Sequence, residues 1–190
     1  MGAADCFKLI TKGPVDYVDI ATEGYKNGTI VDGEINYVLG CPVEEVSSDD
    51  KGNSRKSAYF YLVPIRPGEE GSESEKKSIV LVESRNKDDQ KILDKIMEET
   101  SDESLEGTGT SFNITGKVTK LDAETEGLLE DWLISSQIFE ESERDQIPDY
   151  IVPNIITIKN WTVTYVVTGV GFVVFALGIV GLIITLKKRK

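Results

Sequence analysis

The sequence predicts an α+β domain built on a small antiparallel or mixed sheet, with two amphipathic helices and one transmembrane helix at the C-terminal end. Three observations carry this. Period-two apolar segments come in groups instead of alternating singly with helical ones, which favours α+β over a doubly wound sheet. Two stretches switch to helical spacing. The chain then runs from Trp161 to Leu186 without a charge and ends on Lys187, Lys188, Arg189 and Lys190. A partly open barrel of the oligonucleotide/oligosaccharide-binding kind is one concrete form for such a sheet.

Residues 14–40 alternate, with Val15, Tyr17, Ile30, Ile35, Tyr37 and Leu39 among polar neighbours, and predict two strands joined near Asn27-Gly28. Residues 41–56 are polar and rich in Ser, Asp and Gly, so they read as an exposed loop. Ala58 to Ile65 is an aromatic strand stopped by Pro64 and Pro67, and Arg66 to Lys77 is a solvated connection. Ile79-Val80-Leu81-Val82 is the continuous apolar run that a strand buried on both faces needs. From Asp88 to Thr100 the period changes: Ile92, Leu93, Ile96 and Met97 share one helical face, with Asn86 or Asp88 as N-cap. Thr110 to Leu121 places Phe112, Ile114 and Val118 around Gly116, a strand with a bend. A second helix starts at Asp122 and buries Leu128, Leu129, Trp132 and Leu133, with Ile138 and Phe139 beyond. Tyr150 to Ile158 is a last strand or an extended lead-in to the membrane, which Pro153 confines to an edge or an irregular start.

The boundaries follow: residues 1–158 form the acidic α+β domain, 159–186 the transmembrane helix and 187–190 a basic cytoplasmic tail. A helix rising about 1.5 Å per residue crosses a hydrocarbon core of about 30 Å in roughly 20 residues, which this stretch exceeds. Four cations follow the span and only Lys159 sits close before it, which places the C-terminus in the cytoplasm and the domain outside. Met1 to Ile10 has no basic start followed by a long apolar run, so no export signal is visible. The expectation is a further apolar segment encoded before Met1; the alternative is a tail-anchored protein with a cytoplasmic domain. Within the span Thr164, Gly171, Gly178 and Thr185 recur every seven residues. That puts small side chains on one side of a gently supercoiled helix, a candidate pairing face for another membrane helix. Lys187 and Lys188 also match a dilysine retrieval signal, which a basic stop-transfer flank explains equally well.

Of the 21 Lys and Arg, four are the terminal cations, which leaves 17 against 33 Asp and Glu, a balance of −16 upstream of the span. Such a domain repels phosphate backbones and anionic headgroups. Nucleic acid is therefore excluded as a partner, and the expected partners are the lipid bilayer, another membrane helix or a basic protein. The chain has no histidine. This removes the usual general base and the commonest zinc ligand, leaving any catalysis to carboxylates, Lys, Tyr or Cys. Cys6 and Cys41 lack metal-ligand spacing and read as two unrelated small hydrophobes or, in an oxidising compartment, as a disulfide. No catalytic residue, metal ligand or cofactor is assigned.

Other motifs yield to simpler readings. Asp122 to Gly127 has the acids and glycine of a calcium loop, but Leu133 stands where a bidentate Glu is required. Its acids suit the first turn of a helix. Asp122, Glu126 and Glu130 lie four apart on one ridge, a solvated face or a lure for cations. Tyr59, Phe60 and Tyr61, with Tyr37, could form an aromatic ligand face on a small barrel, although strand aromatics usually pack in a core. Asn27-Gly-Thr29, Asn113-Ile-Thr115 and Asn160-Trp-Thr162 match the glycosylation acceptor pattern.

Gly33-Glu34-Ile35, then Val38-Leu39-Gly40-Cys41-Pro42 and the strand Ala58-Tyr-Phe-Tyr-Leu-Val-Pro64, resemble an uncharacterised bacterial family of small membrane proteins. The resemblance covers roughly residues 15–186 and implies a strand-rich domain between two membrane helices. It brings no activity. The functional expectation is a membrane-anchored, non-enzymatic interaction or sensing domain. The alternatives are a membrane-tethered hydrolase using a Ser-Lys or carboxylate pair, and a subunit of a larger membrane complex.

Overall fold

The computed structural model of the chain describes residues 13–20, 26–48, 54–65, 78–101 and 109–159. Among them seven strands make one mixed sheet: β1 (Val15–Asp16), β2 (Ile30–Ile35), β3 (Gly40–Ser48), β4 (Ser54–Pro64), β5 (Ile79–Ser84), β6 (Phe112–Lys120) and β7 (Ile151–Ile158). Their spatial order is β1-β2-β6-β7-β5-β4-β3. The β1–β2 and β5–β7 pairs are parallel and the rest antiparallel. Helices α1 (Lys87–Ser101), α2 (Ala123–Ser135) and the single turn α3 (Ile147–Tyr150) accompany them, with 3-10 turns at Tyr17–Asp19 and Glu141–Gln146.

Alternation along the strands sends neighbouring side chains to opposite faces and so builds two cores. On one, Leu93 and Ile96 of α1 pack with Tyr61, Val63, Val80, Val82, Val118 and Ile156. On the other, Leu129 and Leu133 of α2 and Ile147 of α3 pack with Phe60, Leu62, Leu81 and Ile155. β5 supplies both, and all six of its residues are buried, as the unbroken apolar run predicts. The α+β class holds, but the partly open barrel does not. The sheet is open, with β1 and β3 outermost, and it carries helices on both faces. A small barrel has one face turned in on itself and filled by side chains, which leaves no room for a helix there.

Local signals set both long helices. The Asp88 amide donates to Asn86 Oδ1 at 2.9 Å, and Asp122 accepts the Thr125 amide at 2.9 Å, so each helix begins on a side-chain cap. The buried stripe of α2 is narrower than its sequence suggests. Leu129 and Leu133 are fully buried, Trp132 is half-buried, Leu128 is 50% exposed and Ile138 is exposed. Trp132 packs against Gly40, where a Cβ would collide with the indole.

Two strand expectations need correction, and a third is decided between its alternatives. Asn27-Gly28 does not join a hairpin: β1 runs parallel to β2, which no two-residue turn permits. The Gly28 amide instead donates to the Val118 carbonyl at 2.8 Å, tying the turn to β6. Residues 41–56 are largely strand, because β3 is the outer strand and needs little apolar alternation on its exposed positions. For Pro153 the irregular start holds and the edge does not, because β7 is central, between β6 and β5. The proline is exposed and falls where the register with β5 shifts between Ile79↔Ile151 and Leu81↔Ile155, so its missing N–H costs no ladder bond there.

No helix among the described residues is long and apolar enough to cross a membrane. Apart from Lys159, the expected span at 159–186, its Thr164, Gly171, Gly178 and Thr185 face and the tail at 187–190 lie outside the described residues, as do Cys6, Arg66 to Lys77 and Asn160.

Candidate functional site

β5 changes chemistry at its end. After four apolar residues, Glu83 projects to the α2 face and is only 7% exposed. A carboxylate buried alone is strongly disfavoured, so it must be paired or hydrogen-bonded. Thr157, its partner across the parallel β5–β7 pair, donates its hydroxyl to Glu83 Oε2 at 2.6 Å. Arg85 Nε donates to Glu83 Oε1, and Arg85 Nη2 reaches Glu45 Oε2 at 3.2 Å. The bond to Glu83 holds the guanidinium above its ordinary pKa range.

Glu83, Arg85 and Glu45 of this chain of bonds line a solvent-open cleft of about 550 Å³. Val43, Phe60 and Ile155 give it an apolar floor. Its far wall is the end of β6, with Thr119 and Lys120, and the first turns of α2, with Asp122, Glu124, Thr125 and Leu128. Asp122 spends its carboxylate on the helix, accepting both the amide and the hydroxyl of Thr125 at 2.9 Å. The Thr125 amide holds that carboxyl below its usual range. Glu44 at the rim is taken by Lys56. Within the cleft proper Glu45, Glu83, Asp122 and Glu124 face two cations, Arg85 and Lys120.

Reactive groups elsewhere are tuned away from nucleophilic chemistry. Cys41 is a half-buried thiol, free among the described residues, which burial and then Glu44 push up to about 12. Tyr61 is fully buried and donates to Asp94 Oδ1 at 2.7 Å; burial, followed by that bond, raises its pKa. Burial raises Tyr17 as well. An activated nucleophile requires the opposite displacement. Glu83 has both oxygens engaged. Among the described residues no group of three or more Cys, Asp or Glu is placed to hold a metal ion.

The structure does not assemble the aromatic face suggested by Tyr59, Phe60 and Tyr61. Tyr59 and Tyr61 stack with centroids 6.4 Å apart on the α1 side, and Phe60 points into the other core. Of the acidic ridge only Asp122 reaches the cleft. Glu83, Thr157, Arg85 and Glu45 belong to no motif of the sequence. The one available signal was an acid ending a run that had to be buried on both faces.

Residues 1–184 match a family model described as a domain of unknown function (DUF8577), and the chain belongs to that family. No curated protein and no solved structure matches it.

Proposed function

We propose that this family member is a membrane-anchored, non-enzymatic interaction or sensing protein whose acidic domain receives a cationic ligand in the cleft beside α2. The observation that carries the reading is the cleft itself, an open, apolar-floored cavity with four carboxylates to two cations, set in a domain of strong net negative charge. The raised pKa values of Cys41, Tyr61 and Tyr17 support a binding role over a nucleophilic one. The uncharged stretch from Trp161 to Leu186 supports the anchor, and the Lys187–Lys190 tail supports a cytoplasmic C-terminus with the domain on the other side. Thr164, Gly171, Gly178 and Thr185 would offer a second helix a close approach.

The test is calorimetric titration of the full chain in lipid nanodiscs with tetralysine. Saturable binding that Glu124→Lys weakens and Asp145→Lys leaves unchanged is the expected result, since Asp145 is exposed on a different segment. Equal weakening by both would mean attraction to the whole charged domain, and the cleft reading would be wrong.

A further inference from the structure

The cleft already holds a cation of its own. Leu81, Glu83 and Arg85 follow one another along the α2 face at β5 and one step past its end, and Glu45 stands on that face of β3 opposite Ala58. Arg85 bridges the two acids across β4, with Nε on Glu83 Oε1 and Nη2 on Glu45 Oε2 at 3.2 Å. Thr157 closes the other oxygen of Glu83 from behind. The Arg85 side chain is itself 57% exposed, and among the described residues these two acids are its only partners.

The backbone on either side of Arg85 is held separately, by α1. The Ser84 carbonyl accepts Gln90 Nε2 at 3.1 Å, and the Asn86 carbonyl accepts the Ser84 hydroxyl at 3.3 Å and the Gln90 amide at 3.0 Å. The Arg85 side chain can therefore swing off the acids with no change of backbone. It cannot leave them bare, because Glu83 would then keep a charge out of water with one hydroxyl for a partner. Its departure requires that a second cation arrive.

We infer that Arg85 is a built-in competitor: it occupies the seat of the ligand's own cation, and the ligand carries a guanidinium group that binds by exchanging with it. This rests on reading the cleft as a site for cationic ligands. The seat consists of oxygens from two separate carboxylates, which a planar fork of N–H donors bridges and a compact ammonium meets singly. The ligand's stem would lie over Val43, Phe60 and Ile155, an apolar contact added to the bonds it takes over. Competition from Arg85 lowers the apparent affinity, as for any site whose competent state is a minor one. Removing the competitor therefore strengthens binding, where removing a true ligand contact would weaken it.

The experiment titrates the full chain, in nanodiscs of uncharged lipid, with tetraarginine, tetralysine and arginine amide. Arg85→Gln should tighten tetraarginine binding at least about tenfold. Lys120→Gln removes a cation from the same cleft without vacating the seat, and should tighten it less than about threefold. Tetraarginine should bind more tightly than tetralysine, and the reverse order would overturn the guanidinium assignment. Arginine amide matching tetraarginine identifies a single small guanidine, and weaker binding an arginine-bearing protein segment; either supports the exchange. Equal gains from Arg85→Gln and Lys120→Gln, or a loss on Arg85→Gln, overturn the exchange while leaving the cleft reading intact. Failure of every cationic probe in every variant removes both. Should Arg85→Gln not fold alone, folding restored by ethylguanidinium and not by ethylammonium, at equal non-denaturing concentration, is the result expected. Equal effects of the two would overturn the inference.

Discussion

On the α1 face of the sheet, polar groups that reach the core close on partners inside the protein; on the α2 face they gather at an opening. Tyr61 gives its hydroxyl to Asp94, and Glu99 accepts the Thr110 amide and hydroxyl at 2.9 and 2.8 Å while Lys95 Nζ lies 3.5 Å away. The Thr110 hydroxyl holds the Glu99 carboxyl below its usual range. Across the sheet, Glu83 is satisfied by Thr157 and Arg85, but the network continues to Glu45 at the surface and into a cavity whose walls keep a carboxylate surplus. Both faces bury similar aliphatic side chains under one main helix. The difference lies in where their polar networks end, and an end at a solvent-open cavity is what a binding face needs.

The largest test of this comparison removes the cores themselves. Leu93→Ala under α1 and Leu129→Ala under α2 should each cost about 2–5 kcal/mol, read as a fall in the urea midpoint, since both side chains are fully buried. A loss below about 1 kcal/mol at Leu129 alone would mean that α2 is not a fixed wall and the cleft is not a built cavity. Next in size are the polar links. Thr157→Val strips a bond from a carboxylate that is buried, and should cost about 1–3 kcal/mol. Tyr61→Phe strips one from Asp94, which is half-exposed and can turn to water, so its cost should stay below about 1.5 kcal/mol. The reverse order in thermal melts would place the stiffer polar network on the α1 side.

The smallest effect is in alkaline solution. Cys41 ordinarily ionises near 9.0 and in the fold is pushed up to about 12, so between those values the unfolded chain has lost a proton that the folded chain keeps. Stability therefore falls as pH rises through this window. Cys41→Ala should flatten the fall in Tm between pH 9 and 10, where the raised tyrosines Tyr17 and Tyr61, which ordinarily ionise near 10.0, only begin to add their own. An unchanged slope would show that the thiol is not held protonated.

What could be read from the sequence was what depends on near neighbours. The Ile79–Val82 run, the stripe of α1 and its Asn86 cap each express their structure within a few residues, and each stands where the pattern puts it. β3 was illegible because a strand at the margin of a sheet has exposed positions that no core constrains. For β7, Pro153 leaves an edge and an irregular start equally open, and only the partner register decides for the irregular start of a central strand. The cleft was hidden for a related reason. Arg85 and Glu45 are 40 residues apart, and Glu83 and Thr157 are 74 apart, so no local spacing announces either bond.

The last strand in the chain fills the middle of the sheet, and this has a mechanical side. β7 is laced along one flank to β5 and along the other to β6, and the Lys159 amide adds a further bond to the Thr115 carbonyl at 3.0 Å. A pull along the strand from Lys159 therefore loads two ladders in shear together, where the same pull on an outer strand would load only one. The chain leaves the domain toward residues 161–186 from the position best able to bear tension. The same placement delays completion of the sheet during synthesis until residue 158 has emerged, because its centre stays vacant until then.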